Sequence, residues 1–399
     1  MKKYFNIQSM FLYCTLIACL LNSLSLPINP FLYISMILVI CLFVKKVIKR
    51  EIRLLSKENI IMLAILLLLL ISSIFSKYSF NKEAIVLILV DIVMICGLFV
   101  LNDYFEYEDI YKIIIGFSVI VIIISFILAF FKYDFVYYGK KFTGIYSNPN
   151  LGGQITLISI LILFYLLNNK KICFRIGILF LIIHIIFLFL NDNRNAILII
   201  CILIIISLFK KIQTKIQKKI LILLFSILVI ISTVFIFNNK KFISSSLNID
   251  EYTKFEVILN DVSTERYAIW KESSYLISNN SFMGCGVNNL QSVAKMEIGN
   301  TSRIVIRGIT ATHNILIQVF IDGGFFTFLL FIIFLLNLLK DVYNLFIKNS
   351  LFSVKGFPGT LVIATLLFSF LDIGILNYLI LTSYIFWTHS KVITANNHG

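Results

Sequence analysis

Long hydrophilic stretches are almost missing from this chain. Its 399 residues are 59% hydrophobic and 14% charged, and residues 238–313 form the one extended polar segment. A mean hydropathy of +0.96 excludes a soluble domain. Cysteine is sparse: of seven, only Cys285 lies in the polar segment, so that segment holds no internal disulfide. No CxxC pair and no metal-ligand spacing occurs, so no metal or other cofactor is expected. Proline is scarce, at four. No pair of Pro- or Gly-broken apolar runs in matching halves is found, and no internal repeat, which removes the usual signature of a secondary transporter.

What the chain has in abundance is apolar runs. A membrane span takes about 20 such residues, and about twelve runs qualify. They fall near 8–26, 28–44, 60–76, 84–101, 113–131, 151–167, 176–190, 196–209, 220–237, 314–339, 357–371 and 375–388. Backbone groups must pair internally in lipid, and the runs are too long and uniform for barrel strands, so helices are predicted. The expected fold is an all-α polytopic membrane protein, one integral membrane domain over 1–399. Its large extracytoplasmic loop, 238–313, lies between the ninth and tenth spans. The start, Met1-Lys2-Lys3 and an apolar run, resembles a signal peptide. It lacks a convincing small-residue cleavage site and reads as an uncleaved first helix.

Lys and Arg concentrate at Lys2-Lys3, Lys45 to Lys57, Lys170 to Arg175, Lys210 to Lys219 and Lys340 to Lys355. The positive-inside bias then puts both termini in the cytoplasm and the long loop outside. The net charge of +15 reflects this bias and contact with anionic lipid, so it does not argue for nucleic-acid binding.

Three regions of chemical interest share the expected outer face. Gly144-Ile145-Tyr146-Ser147-Asn148-Pro149-Asn150-Leu151-Gly152-Gly153 enters the sixth span. Pro149 suits a first helical turn and Asn148 a cap, either as a plain helix entry with packing glycines or as an anion site. Arg194 follows Asp192 between two short spans. It is a snorkelling anchor paired with that Asp, or a guanidinium facing a phosphate. Ser263-Thr264-Glu265-Arg266-Tyr267-Ala268-Ile269-Trp270 predicts a helix capped by Ser263 or Thr264 and ended by Gly284-Cys285-Gly286. Arg266 and Trp270 share one face. An Arg in the first turn opposes the helix dipole, a conflict that a bound anion removes; otherwise this is an ordinary amphipathic surface helix.

His313-Asn314 and Asp322-Gly323-Gly324 follow. His313 is the one histidine expected outside, and imidazole titrates near pH ~6.5, which suits a general base. Asp322 is placed to orient it or to bind a sugar hydroxyl. A lone histidine is more often structural, but Arg194, Arg266, Arg303 and Arg307 are expected on the same face, and a base beside phosphate-capable cations is more specific. Asp91 and His184 fall inside spans, where ionisable groups are functional candidates; a proton-coupled transporter would use them.

In their order and sidedness these residues resemble the O-antigen ligase/polymerase family of bacterial inner-membrane proteins. The matching pieces are Ser147-Asn148-Pro149-Asn150-Leu151-Gly152, the Arg194 step, Arg266-Tyr267-Ala268-Ile269-Trp270, and His313-Asn314 followed by Asp322-Gly323-Gly324. Two departures stand out: Asp192-Asn193 replaces the small residue and Ser or Thr usual before the first Arg, and Asp322 replaces a common Glu. The resemblance implies a GT-C-like fold of the lipid-sugar-dependent glycosyltransferase type. It implies an undecaprenyl-diphosphate-linked glycan donor, a glycan or lipid A-core acceptor, and no metal. It also implies that Arg194 and Arg266 hold the diphosphate while His313 activates the acceptor. Asn148, Asn150, Trp270, Arg303, Arg307, Asn314 and Asp322 are the expected substrate-binding residues, and a flippase and a chain-length regulator are the expected partners. No Asp-x-Asp motif occurs in the outer segments, unlike metal-dependent oligosaccharyltransferases. The expected activity is a polymerase of O-antigen, capsule or exopolysaccharide repeat units. A ligase to lipid A-core or protein is the alternative, and a lipid-linked glycan flippase a third reading.

Overall fold

The computed structural model describes residues 6–24, 29–51, 56–78, 82–103, 107–138, 141–211, 256, 260, 263, 266–372, 375–376 and 380–397. The chain opens with α1 (Ile7–Asn22) and α2 (Pro30–Ile48), packed as a hairpin. Next come α3 (Lys57–Ile74), α4 (Lys82–Cys96) running into a π-helical turn at Gly97–Leu101, and α5 (Tyr107–Phe130). Two-residue strands β1 (Tyr137–Tyr138) and β2 (Lys141–Phe142) pair antiparallel, Tyr137 opposite Phe142. Then follow α6 (Pro149–Asn168), α7 (Phe174–Leu190) and α8 (Arg194–Lys211). The polar segment contributes α9 (Arg266–Asn279), α10 (Leu290–Glu297) and α11 (Arg303–Ile306). The chain closes with α12 (Ile315–Lys348), α13 (Phe357–Ser369) and α14 (Leu381–Asn397).

Every expected apolar run has a helix except 220–237, which lies outside the described residues. Among the described residues five helices, α2, α3, α5, α6 and α12, are long and apolar enough to cross a membrane, and shorter apolar helices accompany them. The protein is a mostly helical, multi-pass membrane protein. The last helix departs from expectation: α14 starts at Leu381 and runs to Asn397, where hydropathy placed a span over 375–388. Its polar residues Thr382, Ser383, Thr388, His389 and Ser390 are buried inside the protein. Hydropathy measures preference for lipid, and this helix is solvated by other helices instead.

The core is centred on α6, buried along nearly its whole length, and on α14, whose Tyr384, Phe386 and Trp387 are fully buried. Tyr165 on α6 stacks on Phe357 of α13 with ring centroids 4.4 Å apart. The intramembrane histidines are held by local partners. Ser159 donates to Ser118 (2.9 Å), Ser118 meets His184 Nε2 (2.8 Å), and His184 Nδ1 meets the Phe180 carbonyl (2.7 Å). His389 bridges Tyr111 (3.0 Å) and the Ile385 carbonyl (2.9 Å). A carbonyl only accepts, so each Nδ1 carries the proton and each Nε2 accepts. This is the arrangement of a satisfied core histidine.

Contacts between connecting segments fall at two ends of the bundle. At one end Lys46 pairs with Asp103, Lys171 with Glu108 (2.7 Å), and Asn169 donates to the Phe352 carbonyl (2.8 Å). At the other, Ser147 reaches Ser23, Asn191 reaches Phe142, α3's end meets residues 285–286, and Asn314 reaches Phe370.

α12 is broken at Gly324, whose φ of 73° and ψ of −171° are open only to glycine. The stretch before the break docks by backbone onto the polar segment. Cys285 N–H donates to Ile321 O (2.6 Å), Gly286 N–H to Asp322 O (3.0 Å), and Phe325 N–H to Ser281 O (2.8 Å). A side chain on Gly324 would sit 2.4 Å from Phe282 O, so the glycines serve close backbone approach. A second, smaller core under the polar segment joins Ile269 and Leu276 of α9 with Cys285, Leu290, Val293 and Ile321.

Candidate active site

The residues of interest meet where α8, α9, α12 and α13 end or begin. Asn314 caps α12, its side-chain oxygen accepting from Leu316 N–H (3.0 Å) and Ile317 N–H (3.2 Å), as the sequence His-Asn-Ile-Leu suits. Its Nδ2 donates to Phe370 O (3.2 Å), which ties the start of α12 to the end of α13. His313 precedes the cap in the left-handed region, φ 53°, so its side chain leaves the helix axis. That turn is braced from two sides. The indole N–H of Trp270 donates to Thr312 O (2.9 Å), and Thr312 N–H donates to Gln318 Oε1 (2.8 Å). Gln318 Nε2 in turn donates to both carboxylate oxygens of buried Asp322 (2.9 and 3.0 Å).

His313 Nδ1 lies 2.8 Å from Asp372 Oδ1. The imidazole is one-third exposed and the carboxylate 8% exposed. A carboxylate accepts, so Nδ1 holds a proton, and in the neutral ring Nε2 carries the lone pair. From the sequence, Asp322, nine residues from His313, was to orient it or to bind a sugar hydroxyl. The carboxylate on His313 is instead Asp372, while the buried Asp322 accepts from Gln318. Asp372 was legible only weakly, as the single acidic residue after Asp341.

Arg266 starts α9 beside this pair. Burial lowers its pKa from the ordinary value, and the charge of Asp372 works in the opposite direction. Arginine remains charged under such shifts, so the guanidinium is a fixed cation next to the His313–Asp372 pair. The Asn195 amide, with its oxygen turned to α9, accepts from the two Nη atoms at 3.0 and 3.3 Å. Ser263 Oγ accepts from Tyr267 N–H (2.9 Å), which makes Ser263 a cap for α9; Thr264 lies outside the described residues.

Arg194 is one residue from the Asn195 contact. It is itself 70% exposed, its Nε 3.5 Å from Asp192, which also pairs with Lys141 (3.2 Å). The Asp192-Asn193 departure therefore has a structural use. Asn193 caps α8 through Ala196 N–H (3.0 Å) and donates to Pro149 O (3.3 Å), packing against Gly153. Asn148 caps α6 through Leu151 N–H (2.9 Å), and Asn150 is half-buried in the first turn. The 144–153 motif and the Arg194 step are thus one packed unit. Arg303 opens α11 and is half-buried, and Arg307 caps its C-terminal end and is exposed. The α11 N-terminus is occupied by the Glu272 carboxylate, which accepts from Arg303 N–H (2.9 Å) and Ser302 Oγ (2.6 Å). Among the described residues no cluster suited to a metal ion occurs.

Fold and site together define a polytopic helical membrane protein with an imidazole–carboxylate pair and an adjacent guanidinium at one end of the bundle. The sequence model of the family described as O-antigen ligase matches residues 178–332. Over that segment the chain is thus similar to the O-antigen ligase family. No curated protein matches the chain. The match contains Arg194, Arg266 and His313 and stops before Asp372, so the pairing with His313 reaches outside the matched segment.

Proposed function

We propose that this chain is a glycosyltransferase that joins undecaprenyl-diphosphate-linked oligosaccharide repeat units into O-antigen, capsule or exopolysaccharide chains. The observation that carries the reading is His313 paired at 2.8 Å with Asp372 beside the Arg266 guanidinium. His313 Nε2 takes the proton of an acceptor hydroxyl, whose oxygen attacks the anomeric carbon of the donor. The bond from that carbon to the diphosphate breaks, and its electron pair leaves with the phosphate oxygen. Charge grows on the leaving group, where Arg266, and Arg194 at the rim, lower the barrier. Asp372 stabilises the imidazolium that forms. Apolar helices hold the carrier's tail and so orient the diphosphate.

On this reading the protein lies in the bacterial plasma membrane with both termini cytoplasmic and residues 238–313 outside. A flippase supplies the donor, and a chain-length regulator acts on the product. A second reading, transfer of the finished glycan to lipid A-core or protein, is favoured by the description of the matching family. The glycan profile of a strain lacking the gene tests both. Single repeat units at the surface without long chains mean polymerase. Long chains retained on the carrier mean ligase. An unchanged profile overturns both.

A further inference from the structure

We propose that residues 281–283, the tip of the loop after α9, insert into the lipid bilayer and anchor the polar segment beside α12. This inference is independent of the proposed reaction. Phe282 and Met283 are 68% and 48% exposed, an unusual state for two large apolar side chains in a segment expected to stand in water. Phe282 packs edge-to-face on Phe326 (5.3 Å), and Phe326 on Phe325 (5.7 Å). Phe325 and Phe326 are the first residues after the Gly324 break and are each 47% exposed.

From Phe325 to Lys348, at about 1.5 Å per residue, the helix is about 36 Å long, enough for a hydrocarbon core of about 30 Å. Its exposed face continues through Leu329 and Leu336. The loop tip therefore extends a surface that already faces lipid, and lipid acyl chains are its occupant. Chemistry of the segment agrees, since no charged residue occurs between Glu272 and Lys295. Insertion desolvates no ion, unlike a charged loop. The Ser281–Phe325, Cys285–Ile321 and Gly286–Asp322 backbone bonds fix the tip to the helix, so the anchor and α12 move as one body. An aromatic side chain at this level suits the interfacial region.

The test uses the full-length protein carrying Phe282→Trp in proteoliposomes, with Trp270 and Trp387 as the measured background. Phosphatidylcholine brominated on the acyl chain is expected to quench the added emission, and aqueous iodide is expected to spare it. Quenching by iodide without a bromolipid effect places the tip in water and overturns the proposal. Protection from both quenchers means that another protein surface, a second copy or residues 220–237, covers the tip, and also overturns it. Met283→Trp checks the same outcome at a second position should Phe282→Trp fold poorly.

Discussion

The imidazole of His313 and the carboxylate of Asp372 lie 2.8 Å apart, Nδ1 to Oδ1, although 59 residues separate them in sequence. The first stands one residue before the cap of α12 and the second three residues after the end of α13. The Asn314–Phe370 bond beside them holds these two helix ends together. The ring is therefore fixed by tertiary packing with one nitrogen committed and one available.

The first prediction concerns this pair. His313→Ala removes the base and should lower glycan transfer by about 10²–10⁴-fold. Asp372→Asn keeps the volume but loses the ring's orientation and should cost on the order of 10²-fold. Purified protein assayed with lipid-linked donor checks both, with abundance in the membrane as the control. Full activity in His313→Ala would remove the general base from the mechanism.

Arg266→Lys keeps the charge but loses the planar fork that faces Asn195. One lost charge-assisted hydrogen bond is worth about 1.5 kcal/mol or more, so transfer should fall at least about tenfold. Near-normal kinetics with Lys would reduce Arg266 to a point charge in the protein's interior.

The Gln318 bridge predicts a charge swap. Gln318→Glu places a second carboxylate against buried Asp322, and Gln318→Leu leaves Thr312 N–H without its acceptor. Either should destabilise the protein by about 1–3 kcal/mol. Gln318→Glu with Asp322→Asn restores the bond between positions 318 and 322 with donor and acceptor exchanged, and keeps an acceptor for Thr312 N–H. Thermal unfolding in detergent should show the double variant more stable than Gln318→Glu alone; no recovery would mean the bridge is not the cause.

Gly324→Ala should detach the polar segment from α12. The backbone there is closed to other residues, and the new methyl group would lie 2.4 Å from Phe282 O and 2.6 Å from Gly284 N. Protease cleavage within residues 266–313 should rise severalfold over wild type, a comparison open to limited proteolysis of proteoliposomes.

Acid should loosen a second attachment, that of α10 to Tyr78 after α3. Burial raises the Glu297 pKa, but donation by Tyr78, Asn280 and Asn279 and the charge of Lys77 outweigh it, and the net shift is downward. Tyr78 shifts upward, through burial and the same Glu297 contact, as a donor to a carboxylate should. A carboxylate with a depressed folded pKa contributes its stability above the unfolded value, about pH 4.3, and loses it as pH falls through the folded value. The protection of α10 amides, taken relative to their intrinsic exchange rate at each pH, should therefore fall in the wild type as pH drops below the ordinary glutamate range. Glu297→Gln, which lacks the titrating charge, should show a flatter dependence.

Membrane class, helical content and most helix positions were legible in the sequence, because lipid imposes apolar length and internal pairing on each span separately. Asn148 and Ser263 were similarly readable as caps, since capping is a local contest among neighbouring backbone groups. The cations and the histidine of the site were readable as types. What joins them was not: Asp372, Gln318 and Asn195 act through contacts between helices distant in sequence. Nor was the break at Gly324 legible, since it depends on the backbone of residues 281–286 packing against it. Nor did hydropathy foresee the bounds of α14, which is buried among other helices. Spans are determined by the solvent each residue run can enter, which sequence alone records. Which carboxylate orients His313 is determined by which helix ends meet, and only the packed bundle decides that.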